Sequence, residues 1–274
     1  MSGTAVINAS RGTARSSRLD ALLVERGLVE SRTRAQALVL AGQVRVGGEV
    51  AGKAGQKVSS DAELSVEGGS RFVSRAGGKL NHALDAFGIP VEGRDCLDAG
   101  ASTGGFTDVL LGRGAGRVLS VDVGYGQFAW RLRNDSRVSL MERTNVRYLS
   151  GENLPFEPDL LVADLSFISL FVALEKICRT TPGLREAVLL VKPQFEAGPE
   201  HVSRGGIVRE PAARAAAIRS VAEAFAPLGF GAVGITRSPI VGRKSGNREY
   251  PIHLSRGSAV TLAEEEMLAV VEED

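Results

Sequence analysis

Four charged residues stand where strands end or begin: Lys79, Asp164, Lys192 and Glu249. Lys192 closes the aliphatic run Ala187–Val191 and is followed by Pro193, so its ammonium must leave the core at the strand's carboxyl end. Asp164 closes the run Asp159–Ala163 in the same way, and Glu249 follows Gly246-Asn247-Arg248 at the start of a later strand. Lys79 lies off the apolar helical stripe of Leu80, Ala83, Leu84 and Phe87 and is free to point elsewhere. Each alone reads as a surface charge or an ion pair. Two lysines and two carboxylates gathered on one sheet edge are instead a set for general acid–base work.

A second constellation runs from Cys96 to Phe106, a strand passing through Asp98, Gly100, Ser102, Thr103, Gly104 and Gly105 into a helix. Gly100 lets the backbone lie against a ligand, and the Gly104-Gly105 pair permits close approach at the helix start. The Gly-x3-Gly-Gly spacing does not fit the G-x-G-x-x-G dinucleotide fingerprint. At the end of the next strand, Asp122 is placed to accept both hydroxyls of a ribose diol. Together these features point to an adenosyl ligand.

These residues need a scaffold that brings strand ends together. Asp95–Ala99, Arg117–Asp122, Asp159–Ala163 and Ala187–Lys192 read as buried strands, alternating with helical stretches at 106–112, 168–179 and 211–226. That order predicts a parallel sheet wrapped by helices, a Rossmann-like α/β domain over 75–258. Strands at 232–237 and 248–254, joined by a loop, predict an antiparallel pair at one end of the sheet.

Ahead of it the pattern differs. Leu19, Leu22 and Leu23 predict one short helix stopping at Gly27, and Ser31 caps a second carrying Ala35, Leu38 and Val39. Val44 to Val50 then predicts a hairpin around Gly47-Gly48, and Val58, Leu64 and Val66 suggest one or two more strands. A small α+β domain over 18–67 follows, with residues 1–17 as a flexible arm and 68–74 as a linker. Residues 1–60 carry nine Lys/Arg against four acids, whereas the segment 259–274 is acidic. The basic front reads as a polyanion-facing surface. Arg32 and Arg34 fall in the first turn of the second helix, where the helix dipole disfavours cations and an external phosphate would offset the cost.

Composition excludes other classes. Unbroken aliphatic runs are no longer than Ala187–Val191, far short of the roughly 20 apolar residues of a membrane span. The only cysteines, Cys96 and Cys178, lie in apolar surroundings and suggest buried thiols in a cytoplasmic protein. His82, His201 and His253 show no metal-ligand spacing, and no metal is expected.

The segments Arg18-Leu-Asp-Ala-Leu-Leu, Ser31-Arg32 and Ala41-Gly-Gln-Val-Arg45-Val-Gly-Gly resemble the S4-like RNA-binding domain, which implies RNA contacts at Arg18, Arg32, Arg34 and Arg45. The loop Asp98-x-Gly-x3-Gly-Gly resembles motif I of S-adenosylmethionine-dependent methyltransferases. Over nearly its whole length the chain resembles the TlyA family of ribosomal RNA 2′-O-methyltransferases, historically labelled hemolysins. Phe72-Val-Ser-Arg-Ala-Gly-Gly-Lys79, Asp122-Val-Gly-Tyr-Gly-Gln, Glu142-Arg-Thr-Asn145, Asp164-Leu-Ser-Phe-Ile-Ser, Lys192-Pro-Gln-Phe-Glu and Gly246-Asn-Arg-Glu249-Tyr carry that likeness.

The resemblance implies that Lys79, Asp164, Lys192 and Glu249 form the Lys-Asp-Lys-Glu tetrad of ribose 2′-O-methyltransferases. It implies S-adenosylmethionine as cofactor, held by Asp98, Gly100, Ser102, Thr103, Gly104, Gly105, Phe106, Asp122, Asn145 and Asp164. It also implies ribosomal RNA or ribosomal subunits as partners, with a cytidine ribose as target. Some relatives have an Arg-x-Trp-Val linker where this chain reads Ser70-Arg-Phe-Val73. Lys192 is the candidate base, with Asp164 and Glu249 positioning its ammonium. The rival reading is a noncatalytic ribosome-binding or assembly factor, which would need the basic module but no tetrad. A pore-forming toxin, as the old label has it, lacks a segment long enough to insert.

Overall fold

Buried on both faces, the strands of the larger unit are near-continuous aliphatic runs, as a parallel sheet under helices requires. The computed structural model describes residues 16–29, 31–66, 72–241, 246–259 and 262–272. The chain divides into two compact units, one of residues 1–73 with 129–131, the other of 74–128 with 132–274.

In the first unit, β1 (Ser16–Arg18) leads into α1 (Leu19–Glu25), and α2 (Arg32–Leu40) follows. Ser31 caps α2 by accepting the Arg34 N–H at 3.2 Å. Leu19, Leu22 and Leu23 pack with Ala35, Leu38, Val39 and Val44 into a small core. β2 (Val44–Val46) and β3 (Glu49–Val50) form the expected hairpin, Gly47 and Gly48 both taking positive φ, and β5 (Leu64–Val66) flanks β2 on its other side. β4 (Lys57–Ser59) pairs antiparallel with β1. Ser16 and Ser17, expected in a flexible arm, are therefore in a strand. The rest of that arm, and residues 68–71 of the expected linker, including Ser70 and Arg71 of the linker motif, lie outside the described residues.

The second unit begins with α3 (Ala76–Phe87), then β6 (Asp95–Ala99), α4 (Gly105–Gly112), β7 (Arg117–Val121), the second half of α5 (Trp130–Arg133), whose first two residues are counted with the first unit, and β8 (Val138–Met141). There follow β9 (Leu160–Ala163), α6 (Leu170–Thr180), β10 (Glu186–Val191), α7 (Pro193–Glu196), α8 (Pro211–Phe225), β11 (Phe230–Ile235), β12 (Tyr250–Arg256) and α9 (Glu264–Glu272). The sheet order is β11-β12-β10-β9-β6-β7-β8, parallel from β10 through β8, with β12 antiparallel to both its neighbours. The antiparallel pair lies at one end, as expected, with β12 inside and β11 at the edge.

The chain leaves β6 toward β7 and β8, then returns to β9 on the other side of β6. A crevice opens at such a switch point, outside the strands' carboxyl ends. Along β12, Tyr250, Ile252 and Leu254 join the core containing Ile218, Val221 and Phe225 of α8, while Pro251 abuts Leu80 and Ala83 of α3. Met267, Val270 and Val271 of α9 enter that same core. The acidic carboxyl segment, read as separate from the domain, is thus an amphipathic helix docked on it.

Candidate active site

The four charged residues meet at the sheet's carboxyl edge. Lys192 follows β10 directly, and Pro193 at the first turn of α7 turns the chain away so that the ammonium stays at the rim. Its Nζ lies 2.5 Å from Asp164 Oδ1 and donates to Ser166 Oγ at 2.9 Å. Asp164 leaves β9 with its N–H donating to the Ala99 carbonyl at 3.1 Å, which fixes it beside the end of β6. Lys79, from the first turn of α3, reaches Asp164 Oδ2 at 3.6 Å and Glu249 Oε2 at 2.5 Å. The result is an alternating chain, Lys192–Asp164–Lys79–Glu249, with side chains only 8–15 % exposed. Two positive and two negative charges offset one another, which is how low-dielectric surroundings tolerate four ionised groups. Asp164 holds both lysines. Glu249 holds Lys79 and not Lys192, so its expected hand on the Lys192 ammonium is indirect.

Two neighbours were missed in the sequence. Ser166 takes a second hydrogen bond from Lys192. Phe167, next along, is 91 % exposed with φ of 65°, a left-handed backbone rare for an aromatic residue, and its ring lies 5.2 Å from Phe195. Their signal lay in Asp164-Leu-Ser-Phe, where only the carboxylate was read for chemistry.

The glycine loop lies alongside. Gly100 has φ of 86°, and a Cβ there would come within 2.6 Å of the Asp164 carbonyl oxygen. Its requirement therefore arises from the protein's own backbone before any ligand is considered. Gly104, at φ of 94°, would drive a Cβ into Leu132 and Phe128, and Gly105 would drive one into the Ser74 hydroxyl. Ser102 also has positive φ and stands exposed, with Thr103 half-buried beside it. Asp122 grips this loop: Oδ2 accepts the Ser102 N–H at 2.7 Å and Oδ1 the Gly124 N–H at 2.6 Å. A carboxylate offers about four lone-pair sites, so each oxygen keeps one for a diol. Thr144 N–H donates to the Asp122 carbonyl at 2.9 Å, bringing Asn145 to the same rim, where its side chain accepts the Arg147 N–H at 3.0 Å. A cradle of positive-φ backbone beside a carboxylate with open acceptors fits an adenosyl group.

Three of the expected cofactor contacts lie beneath the cradle instead. Asp98 is fully buried and accepts from the Thr107 hydroxyl at 2.6 Å, joining the loop to α4. Burial pushes its carboxyl up to about 7 against the opposing Thr107 hydrogen bond. Phe106 is buried under the stem of Lys79, with Leu80 and Ala83, and supports α3. Gly105 is spent on close packing against Ser74.

The FtsJ-like methyltransferase family matches residues 72–256, and the S4 domain matches 17–64. The 16S/23S rRNA (cytidine-2′-O)-methyltransferase TlyA of Mycobacterium tuberculosis is 51 % identical over 239 residues, covering 86 % of this chain and 89 % of the relative. The chain belongs to the TlyA family of FtsJ-like methyltransferases. Hemolysin A of Brachyspira hyodysenteriae, 42 % identical over 86 % of this chain and 98 % of its own, carries the family's older label. A solved structure described as a hemolysin from Streptococcus thermophilus matches at TM-score 0.70 and 39 % identity, covering 93 % of this chain and 94 % of that one. Among the described residues, no helix is long and apolar enough to cross a membrane.

In this TlyA family member the S4 arginines are not equivalent. Arg18 donates to the buried Asp20 at 2.9 and 3.0 Å, and Arg32 and Gln36 also reach it, at 3.3 and 3.1 Å. The Arg18 hydrogen bond, with those of Gln36 and Arg32, holds the Asp20 carboxyl well below the usual carboxylate range despite burial. An anion that offsets the cation at the start of α2 is thus already internal for Arg32. Both arginines still show about half of their side chains to solvent, 51 % and 56 %. Arg34 is exposed, and Arg45 donates to the Gly48 carbonyl at 3.1 Å across its own hairpin turn.

Proposed function

We propose that this protein methylates a ribose 2′-hydroxyl of ribosomal RNA, a cytidine as in the named relatives, using S-adenosylmethionine. The observation that carries this reading is the Lys192–Asp164–Lys79–Glu249 chain set against the glycine cradle at the switch point. The cofactor supplies an electrophilic methyl group on a sulfonium sulfur. Gly100, Ser102 and Asp122 bind and orient its adenosyl part, with Thr103, Gly104 and Asn145 at the rim.

A 2′-hydroxyl is a weak nucleophile, and its proton must be accepted as the carbon–oxygen bond forms. An ammonium has three donors, of which Asp164 and Ser166 take two at Lys192. The third position is the one left for the nucleophile: after Nζ has released a proton to solvent, its lone pair takes the hydroxyl proton as the methyl passes from sulfur to oxygen, and Lys192 is an ammonium again. Asp164, shared by both lysines, keeps Nζ in place through the exchange. Phe167 offers an exposed aromatic face beside this point for stacking the target base. The S4 domain supplies phosphate contacts through Arg34 and the exposed parts of Arg18, Arg32 and Arg45, which position the RNA without adding chemistry. Ribosomal subunits and a reducing cytoplasm complete the reading. Cys96 and Cys178 are buried free thiols whose pKa burial pushes up to about 12, as suits structural cysteines.

Labelled S-adenosylmethionine supplied with separated ribosomal subunits, followed by mapping of alkali-resistant linkages, tests the reading. Label on a 2′-oxygen is the expected result. Label on a base overturns the ribose assignment, and RNA binding without any transfer leaves the noncatalytic assembly factor in its place.

A further inference from the structure

A cavity of about 880 Å³ runs along β11, the outermost strand, with α3 on one side and α9 on the other. None of the tetrad residues lines it, but its lining is tied to theirs through the backbone. Ser238, where β11 turns away, donates its N–H to the Glu249 carbonyl at 2.9 Å. His82 lies one turn of α3 beyond Lys79 and lines the cavity, its ring nitrogen 3.2 Å from Thr236 Oγ1. The same helix therefore delivers one residue to the tetrad and the next to this cleft.

The cleft's chemistry is cationic. Arg237 and Arg248 line it, and Glu266 is the one acid lining it among the described residues. Arg237 Nη1 is buried with no hydrogen-bond acceptor among the described residues. Such a donor is costly unless a ligand supplies the acceptor. Burial raises the Tyr250 phenol, and Arg214, Arg248 and Arg237 all oppose that rise, so three guanidinium groups crowd this corner of the sheet. In sequence, the stretch from Arg237 to Arg248 contains Arg237, Arg243, Lys244 and Arg248 and no acid.

We propose that this cleft takes the RNA backbone on one side of the target ribose, with Arg237 and Arg248 on its phosphates. The inference rests on the ribose methylation proposed above, because a polynucleotide with its 2′-oxygen at Lys192 must carry a phosphate on each side of that ribose. Several hundred cubic ångströms is room for a nucleotide-sized segment rather than a lone anion. Phosphate contacts fix register and orientation, so the cleft sets which nucleotide meets the tetrad and not how fast it reacts.

The test is RNA binding by the full chain at several salt concentrations, with methyl transfer measured on the same samples. Arg237→Gln is expected to weaken RNA binding roughly 10-fold, since a charge-assisted hydrogen bond is lost. It should also reduce the slope of log K against log salt by about 0.7 to 0.9, one phosphate's worth, leaving S-adenosylmethionine affinity and the single-turnover rate at saturating RNA unchanged. Glu266→Gln, removing the cleft's acid from the exposed start of α9, should tighten RNA binding, a gain that damage to the fold does not produce. Wild-type affinity and salt slope in both variants, with methylation by the wild type intact, overturn the cleft assignment while leaving the parent reading standing. Failure of the wild type to methylate ribose overturns the parent reading instead.

Discussion

Replacing Lys192 by arginine separates the two jobs assigned to it. The guanidinium keeps the positive charge and can still donate to Asp164 and Ser166, but it cannot give up a proton near neutral pH. If Nζ accepts the 2′-hydroxyl proton, Lys192→Arg should lose the general-base contribution, typically about 10²–10⁴-fold, or about 3 to 5 kcal/mol of barrier. Lys192→Ala should lose at least as much. The fold should survive either change, because Asp164 keeps Lys79 at 3.6 Å and does not become an uncompensated buried charge. Destabilisation by Lys192→Ala should therefore fall below the roughly 3–5 kcal/mol of a broken buried pair. Single-turnover methyl transfer from labelled S-adenosylmethionine reads the rate, calorimetric titration reads cofactor affinity, and thermal melting reads the fold. Near wild-type turnover in Lys192→Arg refutes proton acceptance and reduces the residue to electrostatic holding. Near wild-type turnover in Lys192→Ala removes it from the chemistry altogether.

Asp122→Ala should weaken S-adenosylmethionine binding at least 10-fold by calorimetry, since both the diol acceptors and the tie to Ser102 are lost; unchanged affinity would mean that the cradle lies elsewhere. Gly100→Val is a poor companion, because its Cβ meets the Asp164 carbonyl whether or not the cofactor is bound. Arg34→Glu should lower RNA affinity and its salt slope while sparing stability, whereas Arg32→Glu should also lower the melting temperature by setting a second carboxylate against Asp20. Equal melting of the two variants would contradict the Asp20 cluster. Phe167→Gly should hold or raise the melting temperature by relieving the left-handed backbone, yet raise the KM for RNA; an unchanged KM removes the stacking role.

The strands bearing Asp98, Asp122, Asp164 and Lys192 were legible because a parallel sheet demands uninterrupted aliphatic runs, and a charge at the end of one has only the rim to go to. Elements with weaker internal pattern were not. β1 is Ser-Ser-Arg, with no apolar residue to announce it, and β8 is a four-residue edge strand. In α9 the run Glu264-Glu265-Glu266 masks Met267, Val270 and Val271 at helical spacing behind it. Asp98 is expected at the cofactor from the likeness of its loop to motif I, and its burial had no local signal because a strand buried on both faces lacks the polar–apolar alternation that tells which way a residue points. The internal anion beside Arg32 was hidden for a different reason: Asp20 lies on another helix, and such pairings are a property of packing. The cationic cleft on β11 depends on three elements distant in sequence, and its one local mark is the acid-free run from Arg237 to Arg248.

The contact between Gly100 and the Asp164 carbonyl, together with the Asp164 N–H bond to Ala99, has a consequence for how such an enzyme can be altered. Donor cradle and acceptor tetrad are registered by two adjacent strands, β6 and β9, with no loop or hinge intervening. Their separation is machined into the sheet, so insertions in the rim loops, or exchange of the amino-terminal module for another RNA reader, would leave the reaction's working distance as it is. An engineer wishing to redirect the methyl group to a new nucleotide could change the address and keep the tool.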